Sequence, residues 1–197
     1  LNYKSYGNTH NPAIIIIHGL FGSLQNWSLI SKELSKDYHV ICVDCRNHGD
    51  SFHTDTMSYP EMATDIIELS NTLNIDTFSL IGHSMGGKIA LTTSQLYPKK
   101  INQQIIIDIS PKRYPNHHQQ IIESLLAINL SEFKSRSEVA ESLKKHIPNN
   151  QLRQFLIKNI YPKPPLKWQI NLDGIAKSYS DIMDWPENLL DSSSVES

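Results

Sequence analysis

Residues 77–90, TFSLIGHSMGGKIA, constrain this chain more than any other stretch. Thr77 to Ile81 have the β-branched, apolar composition of a buried strand, and the residues after Ser84 read as a helix. Between them stands Gly82-His83-Ser84-Met85-Gly86, a G-x-S-x-G pattern with a strand before it and a helix after it. Passing from strand to helix in so few residues demands a turn too tight for a Cβ at either flanking glycine. Ser84 should therefore sit in strained backbone, at a cost of about 1–3 kcal/mol. Its hydroxyl would be lifted above the sheet edge, beside the first N–H groups of the following helix. An ordinary glycine-rich βα turn is the plainer reading; the flanking strand and helix favour a candidate nucleophile at Ser84.

The rest of the first half repeats the strand–helix rhythm. Apolar runs at 13–17, 39–44, 77–81 and 101–109 predict four core strands, and 1–7 alternates like an edge strand. Trp27, Ile30 and Leu34 keep helical spacing behind a possible cap at Ser23; Met62, Ile66, Leu69 and Leu73 do so after Pro60. Regular alternation implies an α/β fold, with a mostly parallel sheet and helices on both faces. Sites on such sheets lie beyond the carboxyl ends of the strands. His18, Arg46, Ser84 and Asp108 all fall there, and are expected to converge on one crevice.

Beyond Pro111 the pattern changes. Ile122, Leu125, Leu126 and Leu130 form one helical stripe, Val139, Leu143 and Ile147 a second, and Leu152, Phe155, Leu156 and Ile160 a third. Trp168, Ile170 and Leu172 alternate like a short strand, and Ile175, Tyr179, Ile182 and Met183 suggest a last helix. The expected organisation is a core over 1–111, a helical cap over 112–186 and an acidic, Ser-rich flexible or truncated tail over 187–197. A cap over the strand ends would shape a pocket and exclude water.

Composition excludes several functions. A formal charge of −2, from 18 basic and 20 acidic residues, offers no basic face for nucleic acid. The apolar runs are strand-sized, too short to span a membrane, and no signal segment opens the chain, so a cytoplasmic protein is expected. The start at Leu1 suggests a non-native N-terminus. His39, Cys42, Cys45 and His48 fall three apart, a spacing that invites a zinc assignment. Along a strand, residues an odd number apart point to opposite faces, so buried thiols and no metal are expected. No motif calls for a cofactor.

Attack by a serine needs a base, an acid to orient that base, and N–H donors for the oxyanion. The Met85 backbone N–H, directly after Ser84, is one expected donor. Leu20, in the loop after the first core strand, is the expected second, with Phe21 an alternative donor or a substrate-binding wall of the acyl pocket. Losing one such donor typically costs about 2.7–4 kcal/mol of transition-state stabilisation. Asp108 is the ionisable residue that closes the apolar strand IIIDI, and so a candidate acid; a turn cap beside Pro111 is its structural alternative.

The segments HGLFGSLQNW (18–27), VDCRNHGDS (43–51), GHSMGGK (82–88) and IDISPKRY (107–114) carry a family resemblance across nearly all of residues 1–115. The chain resembles the α/β-hydrolases, more narrowly the bacterial YbfF-type acyl esterases and ABHD11-like hydrolases. That resemblance implies the α/β-hydrolase fold and hydrolysis of a small-molecule acyl ester or thioester through an acyl-Ser84 intermediate. It also implies Asp108 as the acid and a catalytic histidine in a loop after the last strands. No histidine follows His146, and two strands and a final helix of the family pattern have no counterpart after Trp185. A chain cut short before its general base, without normal turnover, is expected.

The histidines that are present have other expected places. His83 should point into the packing behind the turn, His18 should brace the oxyanion loop, and His48 should sit in a structural turn. His10, His39 and His53 should face solvent, leaving His117, His118 and His146 of the cap as the substitutes to consider. Two alternatives remain. One is a C–C hydrolase or lyase, whose dianionic substrate would need a cap arginine; Arg113, Arg136 and Arg153 are available but read as surface residues. The other is a non-catalytic, hydrolase-like binding protein.

Overall fold

In strands β2 (Ala13–Ile17) and β3 (His39–Val43) every side chain is buried, which requires cover on both faces of the sheet. The computed structural model, which describes residues 1–186, provides it. Three further strands, β1 (Tyr3–Tyr6), β4 (Phe78–His83) and β5 (Ile101–Ile107), complete a five-stranded sheet of order β1-β3-β2-β4-β5. All neighbouring pairs are parallel except β1 with β3.

Alternate residues serve different layers. Ile15, Ile17, Ile41, Val43 and Leu80 pack with helices α2 (Tyr59–Thr72) and α3 (Met85–Leu96). Ile14, Ile16, Val40, Cys42 and Ile81 pack on the other face, with Leu34 of helix α1 (Ser28–Leu34). Helices on both faces therefore follow from the pleat. Cys42 and Cys45 fall into separate apolar clusters, Cys45 lying beyond the end of β3, and both are buried free thiols.

The register aligns the carboxyl ends of the strands. Ile17 pairs with Val43 and Gly82, and His83 with Ile107, so His18, Ser84 and Asp108 emerge along one rim. Arg46 does not join them. Its Nε and Nη2 donate to Asp65 Oδ2 and Oδ1 of α2 at 2.7 and 2.9 Å, and Nη1 donates to the Thr56 carbonyl. Both side chains are largely buried, so this fork locks the loop after β3 onto α2. Asp65→Ala would leave a largely buried guanidinium without its bidentate partner. Breaking such a pair typically costs about 3–5 kcal/mol, and the remaining contacts to Thr56 and Glu61 put the expected loss near the lower figure. Urea denaturation would read this as a lower midpoint at unchanged m-value.

β5 ends at Ile107 and is the outermost strand among the described residues, where Ile105 is 56 % exposed.

The residues expected to form a cap fold as helices α4 (Gln119–Leu126), α5 (Arg136–Ser142), α6 (Asn150–Leu156), α7 (Leu172–Lys177) and α8 (Tyr179–Met183). Leu125, Val139, Leu143, Leu156 and Ile175 are continuous with the apolar cluster around α2. The expected strand near Trp168 is reduced to one bridge with Ile160, because Asn171 accepts from the Gly174 N–H and starts α7 at Leu172. The expected single last helix is two helices meeting at Ser178. The tail expected over 187–197 lies outside the described residues.

Candidate active site

The turn at Ser84 is as tight as its glycines predict. Ser84 has φ 53° and ψ −118°, between the last strand residue and the first of α3. A Cβ on Gly82 would lie 2.2 Å from the Gly86 carbonyl oxygen, and one on Gly86 would lie 2.4 Å from that of Ile17. The Ser84 N–H donates to the Ile107 carbonyl at 3.0 Å, extending the β4–β5 ladder by one step. Ser84 therefore stands across from Asp108, which follows β5 directly at φ 55° and is exposed. Met85 opens α3, so its N–H has no intrahelical acceptor.

Two buried histidines hold the neighbouring loop. His18 Nε2 accepts from the Cys45 N–H at 3.0 Å, so its Nδ1–H donates to the Gly19 carbonyl at 2.8 Å. His48 Nε2 accepts from the Phe21 N–H at 3.2 Å, and its Nδ1–H donates to the Arg46 carbonyl at 3.0 Å. Burial dominates both rings and holds them neutral. It pushes His18 down to about 4, against the opposing pull of the Gly19 hydrogen bond, and His48 down to about 3, with His18 a further depressing neighbour. His18 braces the loop as expected.

Phe21 corrects its expectation on both counts. Its N–H is already given to His48, so it cannot serve an oxyanion, and its ring is buried and absent from the walls of the crevice. The ring instead backs His118, edge-on at 6.3 Å, and its carbonyl accepts from Asn159 of the cap.

The crevice above Ser84 has two lobes. One of about 400 Å³ is lined by Trp27, Ile30, His83 and Phe155; one of about 260 Å³ by Lys88, Asp108, Tyr114 and Met183. Leu20, Ser84 and His118 line both, so the serine lies at the constriction. A larger polar cleft of about 770 Å³, between Asp44 and the cap residues Arg136 and Lys158, does not contain Ser84.

His83 differs from its expected place, since it is half-buried and lines the larger lobe beside Gly19. His39 is buried rather than solvent-facing, with Nε2 hydrogen-bonded to Ser5 Oγ at 2.7 Å, because β1 covers the edge of β3. Arg153 is buried too, with Nη1 donating to the Ile147 carbonyl at 2.7 Å. His118, one of the histidines considered as a substitute base, roofs the constriction beside Ser84. Sequence reasoning passed over Lys88. Lys88 is 1 % exposed on α3 and donates to the Met183 and Asp184 carbonyls at 3.2 and 2.7 Å. A lysine among the small and apolar residues GGKIA was the available clue. Burial lowers it to about 8, with the Asp184 charge opposing, and the rings of Tyr59 and Tyr114 flank its ammonium.

Comparison with known proteins places this geometry. The profile of a family described as alpha/beta hydrolase fold matches residues 12–155. Esterase YbfF of Escherichia coli is 34 % identical over 180 residues, covering 90 % of this chain and 70 % of that protein. The sn-1-specific diacylglycerol lipase ABHD11 of Xenopus tropicalis is 34 % identical over 197 residues, covering 95 % of this chain and 62 % of that protein. A relative in Haemophilus influenzae is 35 % identical, and the chain spans 66 % of its length. The solved structure of a marine microorganism esterase superposes with a TM-score of 0.90 at 39 % identity, covering 94 % of this chain and 74 % of that one.

Proposed function

The chain belongs to the α/β-hydrolase family, and from that premise we propose that it serves ester or thioester hydrolysis through an acyl-Ser84 intermediate. The observation that carries this reading is the strained Ser84, set at the constriction of a two-lobed crevice across from Asp108. The Ser84 oxygen attacks the acyl carbonyl while its proton passes to an imidazole base. The N–H groups of Met85 and Leu20 receive the developing oxyanion. Collapse expels the alcohol or thiol, which takes the proton, and water repeats the sequence to release the acid. Asp108 orients the base.

That base is proposed to lie outside these 197 residues. His18 and His48 are committed at both ring nitrogens, His39 is held by Ser5, and among the described residues neither His83 nor His118, which line the crevice, is hydrogen-bonded to Ser84. The relatives' printed names, an esterase and a diacylglycerol lipase, support the ester class. The reading with a dianionic substrate has less support, since Arg136 and Arg153 already serve backbone carbonyls. Among the described residues no helix is long and apolar enough to cross a membrane. A cytoplasmic setting is proposed, in keeping with the free thiols of Cys42 and Cys45.

The chain should be mixed with p-nitrophenyl butyrate, quenched and digested. A butyryl group on the Ser84 peptide, formed and lost slowly for want of the base, is the expected result. Absence of that adduct, or its appearance on another residue, overturns the proposal.

A further inference from the structure

The two lobes meet at Ser84, with room for one arm of an ester in each. Three residues are common to both lobes, and two of them already have work in the mechanism: Ser84 and Leu20. The third is His118, at the start of the cap. Its ring is held between Phe21 and Tyr179, edge-on to each at 6.3 and 6.4 Å, and its backbone N–H donates to the Tyr179 hydroxyl at 2.7 Å. Nδ1 is buried and has no hydrogen-bond partner among the described residues. Nε2 is thus the nitrogen left to serve the cavity. Burial, with the neighbouring His117 adding to it, lowers the ring's affinity for a proton and keeps it neutral. A neutral ring with its proton on Nε2 offers one donor to the crevice and leaves only a bare lone pair in the apolar wedge.

We propose that His118 is a specificity-determining residue: it donates a hydrogen bond from the cap to the linkage of a two-armed ester held across the constriction. The inference rests on the acyl-Ser84 reading. It assigns the hydrocarbon arm to the lobe walled by Trp27, Ile30 and Phe155. The more polar alcohol arm goes to the lobe with Asp108, Lys88 and Tyr114.

An alkoxy alkylphosphonofluoridate tests this without needing turnover. Its phosphoryl and alkoxy oxygens stand for the oxygens of an ester; the Ser84 oxygen bonds to phosphorus, the P–F bond breaks, and fluoride and the serine proton leave to solvent. Labelling rates over a concentration series separate the binding constant KI from the limiting rate. His118→Phe keeps a ring in the wedge but removes the donor, and should raise KI ~10-fold with the limiting rate within ~2-fold of the unaltered chain. His118→Gln, which keeps an N–H donor, should restore KI to within ~3-fold, a rescue that a purely packing role would not give. His146→Phe, at an exposed histidine that lines neither lobe, should leave KI unchanged. Equal KI for His118→Phe and the unaltered chain, or a Gln variant as weak as the Phe variant, overturns the role of His118 alone. Failure of the unaltered chain to label at Ser84 overturns the acyl-serine reading, and this inference with it.

Discussion

Ser84→Ala should abolish acyl-adduct formation and phosphonofluoridate labelling at this position, because the attacking oxygen is gone. Among the described residues Ser84 carries the one hydroxyl common to both lobes. Ser84→Gly should be equally inactive and also more stable. Its φ of 53° with ψ of −118° is a conformation glycine adopts freely and serine does not. Relief of about 1–3 kcal/mol of strain outweighs the roughly 0.4–1 kcal/mol that glycine adds to the entropy of the unfolded chain. A net gain of about 1 kcal/mol in a chain of this size raises Tm by about 2–4 °C. Thermal unfolding of the two variants side by side checks it. A glycine variant that melts below the unaltered chain would show that the turn stores no strain.

The second large effect is acid lability. His18 and His48 titrate near 4 and 3 in the folded chain, both depressed foremost by burial, against an ordinary value of 6.5. Below pH 6.5 the unfolded chain therefore binds protons that the folded chain refuses, and stability falls as pH falls. The loss begins near pH 6.5 and continues until each ring protonates in the fold. By pH 5 each histidine should contribute a loss of about 2 kcal/mol relative to pH 7, on the 1.36 kcal/mol per pH unit of linkage. Urea midpoints at pH 7, 6 and 5 measure it, and His48→Gln should flatten the slope by about half. A midpoint constant from pH 7 to 5 would contradict the neutral, doubly bonded rings. Protonation would also turn the acceptor on His48 into a donor facing the Phe21 N–H. The oxyanion loop is thus the part of the site that acid dismantles.

The fold was legible wherever burial is uniform. Ala13–Ile17 and His39–Val43 announced central strands because nothing polar interrupts them, and Gly82 and Gly86 marked the turn because its geometry admits no Cβ. Legibility failed where the answer depends on a partner. Phe21 carries an N–H that sequence could offer to an oxyanion; only the fold shows His48 taking it first. Arg153 looked like a surface residue because its acceptors, two backbone carbonyls, leave no trace in composition. His118 was one of two adjacent histidines, and nothing along the chain distinguishes the roof of a crevice from its solvent side.

Lys88 lies one helical turn beyond the nucleophile, and its ammonium grips the carbonyls at the end of α8, where Tyr59 also reaches the Ile182 carbonyl. The end of α8 is therefore held from two sides, by α2 and by the same helix that presents the serine.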